Sequence, residues 1–276
     1  MRSLSLSFLL LLLGLPAWGG PLHLEGRPQQ GGVLFGKVTP GAKVYHDGQP
    51  VPVSESGDFV IGFGRDAPEQ SRLELHLPDG RKVVEELKVA RREYRIQRID
   101  GLPPAKVTPR SKKDLARIRD DIAQTKRARA RVDADRTDWR RGFQWPVKGP
   151  ITGVYGSQRI LNGKPRRPHY GVDIAGPVGT PVRAPADGIV TLVHPDMFYS
   201  GGTLIMDHGQ GFSSTFLHLS RILVKEGERV EQGQVVAEMG ATGRVTGSHL
   251  DWRMNLRGRR VDPQTLVEPM SSDSTE

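Results

Sequence analysis

Glycine and proline set the strongest limit on what this chain can become. Of 276 residues, 33 are glycine and 21 are proline, and from residue 143 to about 267 they recur so closely that hardly any stretch sustains a helical period. Between them lie short apolar runs at residues 151–155, 181–184, 188–193, 202–206, 213–217, 235–238 and 249–256. Short strands separated by glycine turns pack as an antiparallel β core, so residues 143–267 are expected to form a β-sheet domain.

Residues 23–102 show the same punctuation on a smaller scale. Short apolar runs, such as 33–38 and 59–63, are separated by turn signals that include Thr39-Pro40-Gly41, His46-Asp47-Gly48 and Pro78-Asp79-Gly80. Leu73, Leu75 and Leu77 alternate with polar residues and give one buried face, which with the regular turn spacing predicts a small immunoglobulin-like β-sandwich. No pair of catalytic residue types clusters there, so it reads as a binding or spacing module. Pro103-Pro104 ends it. Residues 103–141 read as a basic helical linker: Ser111 stands three residues ahead of Asp114 as a helix start, and Leu115, Ile118 and Ile122 recur at helical spacing as a thin apolar stripe. Whether this helix covers a cleft of the following domain is not legible. The expected fold class is therefore all-β, with two β units, a helical linker and a tail at residues 268–276.

The formal net charge is +9, and residues 105–141 alone carry 13 Lys and Arg against 6 Asp and Glu. Such a segment fits an anionic partner or a solvated helix face. Aromatic residues do not interleave with its cations to stack bases, so nucleic acid is not expected and an anionic envelope surface is the better match. The first 19 residues, with Arg2, an apolar run at 8–13 and the exit Ala17-Trp18-Gly19, have the layout of a secretory signal peptide. A retained N-terminal anchor is the alternative, although the run is shorter than the roughly 20 residues a bilayer requires. Export to the periplasm or cell envelope is the expected address. The absence of cysteine excludes disulfides, thiolate zinc sites and a cysteine nucleophile, so any metal must be held by His, Asp or Glu.

Three stretches concentrate such residues: Pro168-His169-Tyr170-Gly171-Val172-Asp173-Ile174, Phe216-Leu217-His218-Leu219-Ser220 and Gly247-Ser248-His249-Leu250-Asp251-Trp252. Pro168 and Gly171 disfavour a helix between His169 and Asp173. Fully extended, residues four apart would be separated by about 13 Å at roughly 3.3 Å per residue. The chain must therefore bend near Gly171 for both side chains to reach one ion. His249 and Asp251 are two apart in an apparent strand and project from the same face. Singly, a histidine reads as a surface or core residue, and His23, His46, His76 and His194 keep that reading; His208, in Asp207-His208-Gly209, reads as part of a turn.

In combination, and with Gly179-Thr180-Pro181-Val182-Arg183-Ala184-Pro185-Ala186-Asp187-Gly188, Met206-Asp207-His208-Gly209 and Thr242-Gly243-Arg244, these stretches resemble the lysostaphin/LytM-type zinc metallopeptidases, which cut peptide bonds in peptidoglycan. The resemblance spans about residues 143–267. It implies a LytM-type β-sheet peptidase domain, one zinc ion held by His169 and Asp173, and His218 and His249 as catalytic histidines beside the metal. Which of the two is the base is left open. In the family the third ligand is a histidine two residues after His249, whereas this chain has Asp251. Three readings follow: Asp251 ligates zinc as a carboxylate, leaving a position for water; the metal is lost and the domain only binds; or a harder metal is preferred. The first implies a metal-dependent endopeptidase acting on peptidoglycan cross-links in wall remodelling, and the second an inactive domain that binds peptidoglycan or activates another wall hydrolase. The segment 224–240 also resembles a half-motif of lipoyl or biotinyl carriers, but residues 240–243 contain no lysine to modify, so it reads as scaffold.

Overall fold

The computed structural model describes residues 20–99, 111–161 and 163–270. The expected signal peptide and residues 271–276 of the tail lie outside the described residues. The described residues open with seven strands: β1 (Leu22–Gly26), β2 (Val33–Val38), β3 (Lys43–His46), β4 (Gln49–Val51), β5 (Asp58–Gly62), β6 (Gln70–His76) and β7 (Lys82–Lys88). They make two antiparallel sheets, β1-β2-β5 and β4-β3-β6-β7, around Leu34, Val44, Phe59, Ile61, Leu73 and Leu75. In β6 the alternation of Leu73 and Leu75 with Arg72 and Glu74 gives the buried face that period-two patterning demands.

Next come β8 (Ile96–Ile99) and the helix α1 (Lys112–Ala128). Ser111 caps α1, its hydroxyl accepting from the Asp114 amide at 3.1 Å, which satisfies one of the amides that a helix start leaves unpaired. The apolar stripe does not pack as the sequence suggests: Leu115 is 44% and Ile122 62% exposed. The surface that α1 meets offers polar groups, so its polar side docks. Arg117 Nη2 lies 2.7 Å from Asp196 Oδ2, the Phe198 amide donates to Asp121 Oδ2 at 2.8 Å, and only at its end does Ala128 join Leu192, Met197 and Ile205. Among the described residues no helix is long and apolar enough to cross a membrane.

The remaining strands are β9 (Ile151–Gly153), β10 (Gln158–Leu161), β11 (Lys164–Pro165), β12 (Val172–Ala175), β13 (Pro181–Arg183), β14 (Gly188–Met197), β15 (Gly201–Asp207), β16 (Phe212–Ile222), β17 (Arg229–Val230), β18 (Val235–Met239), β19 (His249–Leu256) and β20 (Arg259–Val261), with short 3-10 helices at Asp138–Arg141 and Pro263–Leu266. The main sheet runs β17-β14-β15-β16-β19-β12-β9, with β13, β18 and β20 attached. Its pairings are antiparallel, which gives the mostly β architecture expected. Phe212, Phe216, Leu250, Trp252 and Met254 form its core, and Val33 and Val60 of the N-terminal strands enter the same cluster. Phe35 stacks on Trp139 with centroids 5.2 Å apart. β8 joins neither N-terminal sheet; it pairs in parallel with β10. The two halves are thus joined by shared apolar contacts and by a ladder of backbone hydrogen bonds.

Candidate metal centre

Two neighbouring strands and the loop before one of them build the site. β12 and β19 are antiparallel, and their register sets Asp173 directly opposite Asp251 and Ala175 opposite His249. Like charges in that relation repel, so the sheet pairs two carboxylates where it can hold them only with compensating cations. His169 comes from the loop before β12. The chain bends at Gly171, as the spacing predicts, and brings His169 Nε2 to 3.1 Å from Asp173 Oδ1. The loop is fixed by two backbone bonds: the Gly156 amide donates to the His169 carbonyl and the His169 amide to the Ser157 carbonyl, each at 2.8 Å.

Each of His169, Asp173 and Asp251 offers a ligand atom, and those atoms lie within 4.8 Å of one another. His169 Nε2 and Asp173 Oδ1 are buried and meet each other, and no other hydrogen bond reaches either atom. One imidazole with two carboxylates is a donor set suited to a divalent cation. Burial opposes charge on His169, but the carboxylates of Asp173 and Asp251 outweigh it and raise its pKa. Burial by itself would raise the Asp251 pKa; the Arg253 charge and hydrogen bonds, followed by His169 and His218, hold it below the ordinary value.

Beside this trio lie His218 and His249, with ring centroids 4.9 Å apart. His249 Nε2 is 3.9 Å from Asp173 Oδ1. His218 sits inside β16 with φ +65°, a conformation that costs a non-glycine residue free energy. The β15–β16 register shifts at this point, a bulge that turns the imidazole toward the site. The His218 Nδ1–H donates to the Thr242 carbonyl at 2.9 Å, and Thr242 is itself held, its Oγ1 donating to the Leu219 carbonyl and accepting from the Gly202 amide. That tautomer leaves Nε2 as a free acceptor. Burial lowers the His218 pKa, so the ring is neutral at pH 7. The His249 Nδ1–H donates to the Gly247 carbonyl at 2.9 Å.

All five residues singled out from the sequence therefore converge. The sequence reading missed Arg253, whose Nε lies 2.9 Å from Asp251 Oδ1 and whose Nη2 lies 2.5 Å from Oδ2. Its signal was available: on a strand, a residue two beyond Asp251 shares its face. The other histidines stay outside the site. His208, read as part of a turn, is fully buried and bonded to the Asp187 carbonyl and the Ser214 hydroxyl.

Residues 167–263, which carry all of these side chains, match the model of peptidase family M23. Peptidoglycan DD-endopeptidase ShyA of Vibrio cholerae is 35% identical over 218 residues, 77% of this chain and 46% of that protein. ShyB of the same organism is 42% identical over 132 residues, 47% of this chain and 28% of that protein. The chain thus spans less than half the length of these curated relatives. A crystal structure of a peptidase M23 protein from Pseudomonas aeruginosa superposes with a TM-score of 0.64 at 32% identity, covering 87% of this chain and 94% of that one. Agreement over nearly the whole of that protein places this chain in peptidase family M23, as the resemblance in its motifs implies.

Proposed function

We propose that this peptidase is a zinc-dependent endopeptidase that hydrolyses peptide cross-links of peptidoglycan in the cell envelope. The observation that carries the reading is the convergence of ligand atoms of His169, Asp173 and Asp251 within 4.8 Å of one another, with His218 and His249 beside them. The names of the Vibrio relatives supply the substrate class. His169, Asp173 and Asp251 would hold the ion. Zinc bound there supplies Lewis acidity toward the scissile carbonyl and lowers the pKa of water.

The protein's own groups supply the rest. His218, with Nδ1–H committed to Thr242, presents Nε2 to take a proton from an attacking water and to return it to the leaving amine. His249 also has Nδ1 committed, to Gly247, so its Nε2 donates to a developing oxyanion only when the ring is protonated. The test is release of peptide fragments from purified peptidoglycan. Wild-type protein should lose activity on chelation and regain it with zinc. His218→Asn should fold normally, since asparagine tolerates positive φ, yet cleave roughly 10² to 10⁴ times more slowly. Protein that sediments with peptidoglycan and releases nothing, with or without zinc, would refute the enzyme reading in favour of a binding domain.

A further inference from the structure

The ion pair between Asp251 and Arg253 is placed where a surface salt bridge would not be. Asp251 is 2% exposed, and Arg253 grips it with a fork: Nε at 2.9 and 3.1 Å from the two carboxylate oxygens and Nη2 at 2.5 Å from Oδ2. Both side chains project from the same face of β19, two positions apart. The backbone of Gly171 closes over them so tightly that a Cβ there would overlap Asp251 Oδ1 and stand 2.7 Å from Arg253 Cγ. Across the sheet, Asp251 faces Asp173, the carboxylate whose Oδ1 meets His169 Nε2. A carboxylate oxygen has two lone pairs, so the fork uses part of the acceptor capacity of Asp251 and leaves the remainder for the centre.

We propose that Arg253 is a positioning residue of the metal site: its fork holds the Asp251 carboxylate in one orientation and cancels its charge, so that the two residues together act toward a divalent cation as a single neutral ligand. The inference rests on the metal-site reading above. A His, two Asp and an Arg carry one net negative charge, the same as two neutral imidazoles and one carboxylate. An Arg fork suits this task because it fixes carboxylate geometry bidentately, which the ammonium of a lysine cannot do. Outer partners of this kind typically alter metal affinity by about 10- to 100-fold when removed.

The test is calorimetric titration of the demetallated full chain with Zn2+, compared across wild type, Asp251→His, Arg253→Gln and the double variant, with thermal melts to verify folding. Asp251→His supplies a good zinc ligand but leaves the half-buried guanidinium unpaired beside a dication, so it should bind zinc at least tenfold more weakly than wild type. Adding Arg253→Gln should recover most of that loss. Asp251→His binding zinc as tightly as wild type, or a double variant no better than Asp251→His, would overturn the proposal. Should Asp251→His fail to fold, Arg253→Lys serves instead: it keeps the charge and loses the fork, and wild-type affinity in it would overturn the positioning role. Wild-type protein that took up no zinc would sink the metal site itself.

Discussion

At the scale of single residues, Gly171 shows what spacing can and cannot reveal. The separation of His169 and Asp173 requires a bend there, and the bend is present. The tight approach to Asp251 and Arg253 is a second demand on the same residue, and it depends on a strand about eighty positions away, so no local pattern announces it. Gly171→Ala should push the Asp251–Arg253 pair out of place and weaken zinc binding by tenfold or more, while lowering stability by about 1–3 kcal/mol for the overpacked site. Titration calorimetry and thermal melts read the two effects separately. Arg253 escaped the sequence reading for a related reason. An arginine two residues beyond a candidate ligand is ordinarily a solvated side chain, and only its fork on the buried Asp251 carboxylate gives it a role.

At the scale of elements, what was legible is what local pattern determines. The cap at Ser111 and the run that became β19 are where their sequences put them, because a capping hydroxyl and an alternating strand encode their own geometry. The edge strand β7 and the short β1, β8, β10 and β11 were not legible, since exposed or brief segments become strands through distant partners. The stripe on α1 failed because helical spacing shows where an apolar face lies but not what it meets. Ile122→Ser should therefore leave stability within about 0.5 kcal/mol of wild type in a denaturant titration; a loss of 2 kcal/mol would mean that the stripe is covered in solution. Gly156 is the contrary case. It has φ +82° and an added Cβ would run into the Tyr94 ring, while its carbonyl accepts from Arg65 Nε at 2.8 Å and its amide holds the His169 carbonyl. Gly156→Ala should destabilise the protein by about 2–4 kcal/mol and also reduce zinc affinity, the second effect separating it from a change confined to the turn.

At the scale of the molecule, buried histidines tie stability to pH. Burial holds His208 at about 4, and burial followed by the neighbouring Arg259 does the same for His46. Both are neutral in the fold and would take up protons near their ordinary value of about 6.5 once unfolded. Their contribution is thus complete above pH 6.5 and is lost as pH falls toward 4, amounting to about 3 kcal/mol for His208 by linkage. Urea midpoints at pH 7.5 and 4.5 should show the loss, and His208→Gln should reduce it; an identical pH dependence in the variant would contradict the assignment. The parallel pairing of β8 with β10 and the grip of Arg65 and Tyr94 on Gly156 carry a last consequence. If the N-terminal strands steady the loop that bears His169, thermodynamic reciprocity requires an ion at His169 to steady those strands in return. Amide hydrogens of β8 and of the backbone around Arg65 should then exchange more slowly with deuterium when zinc is added, although none of them lies at the metal. The N-terminal half would report occupancy of a site to which it contributes no ligand.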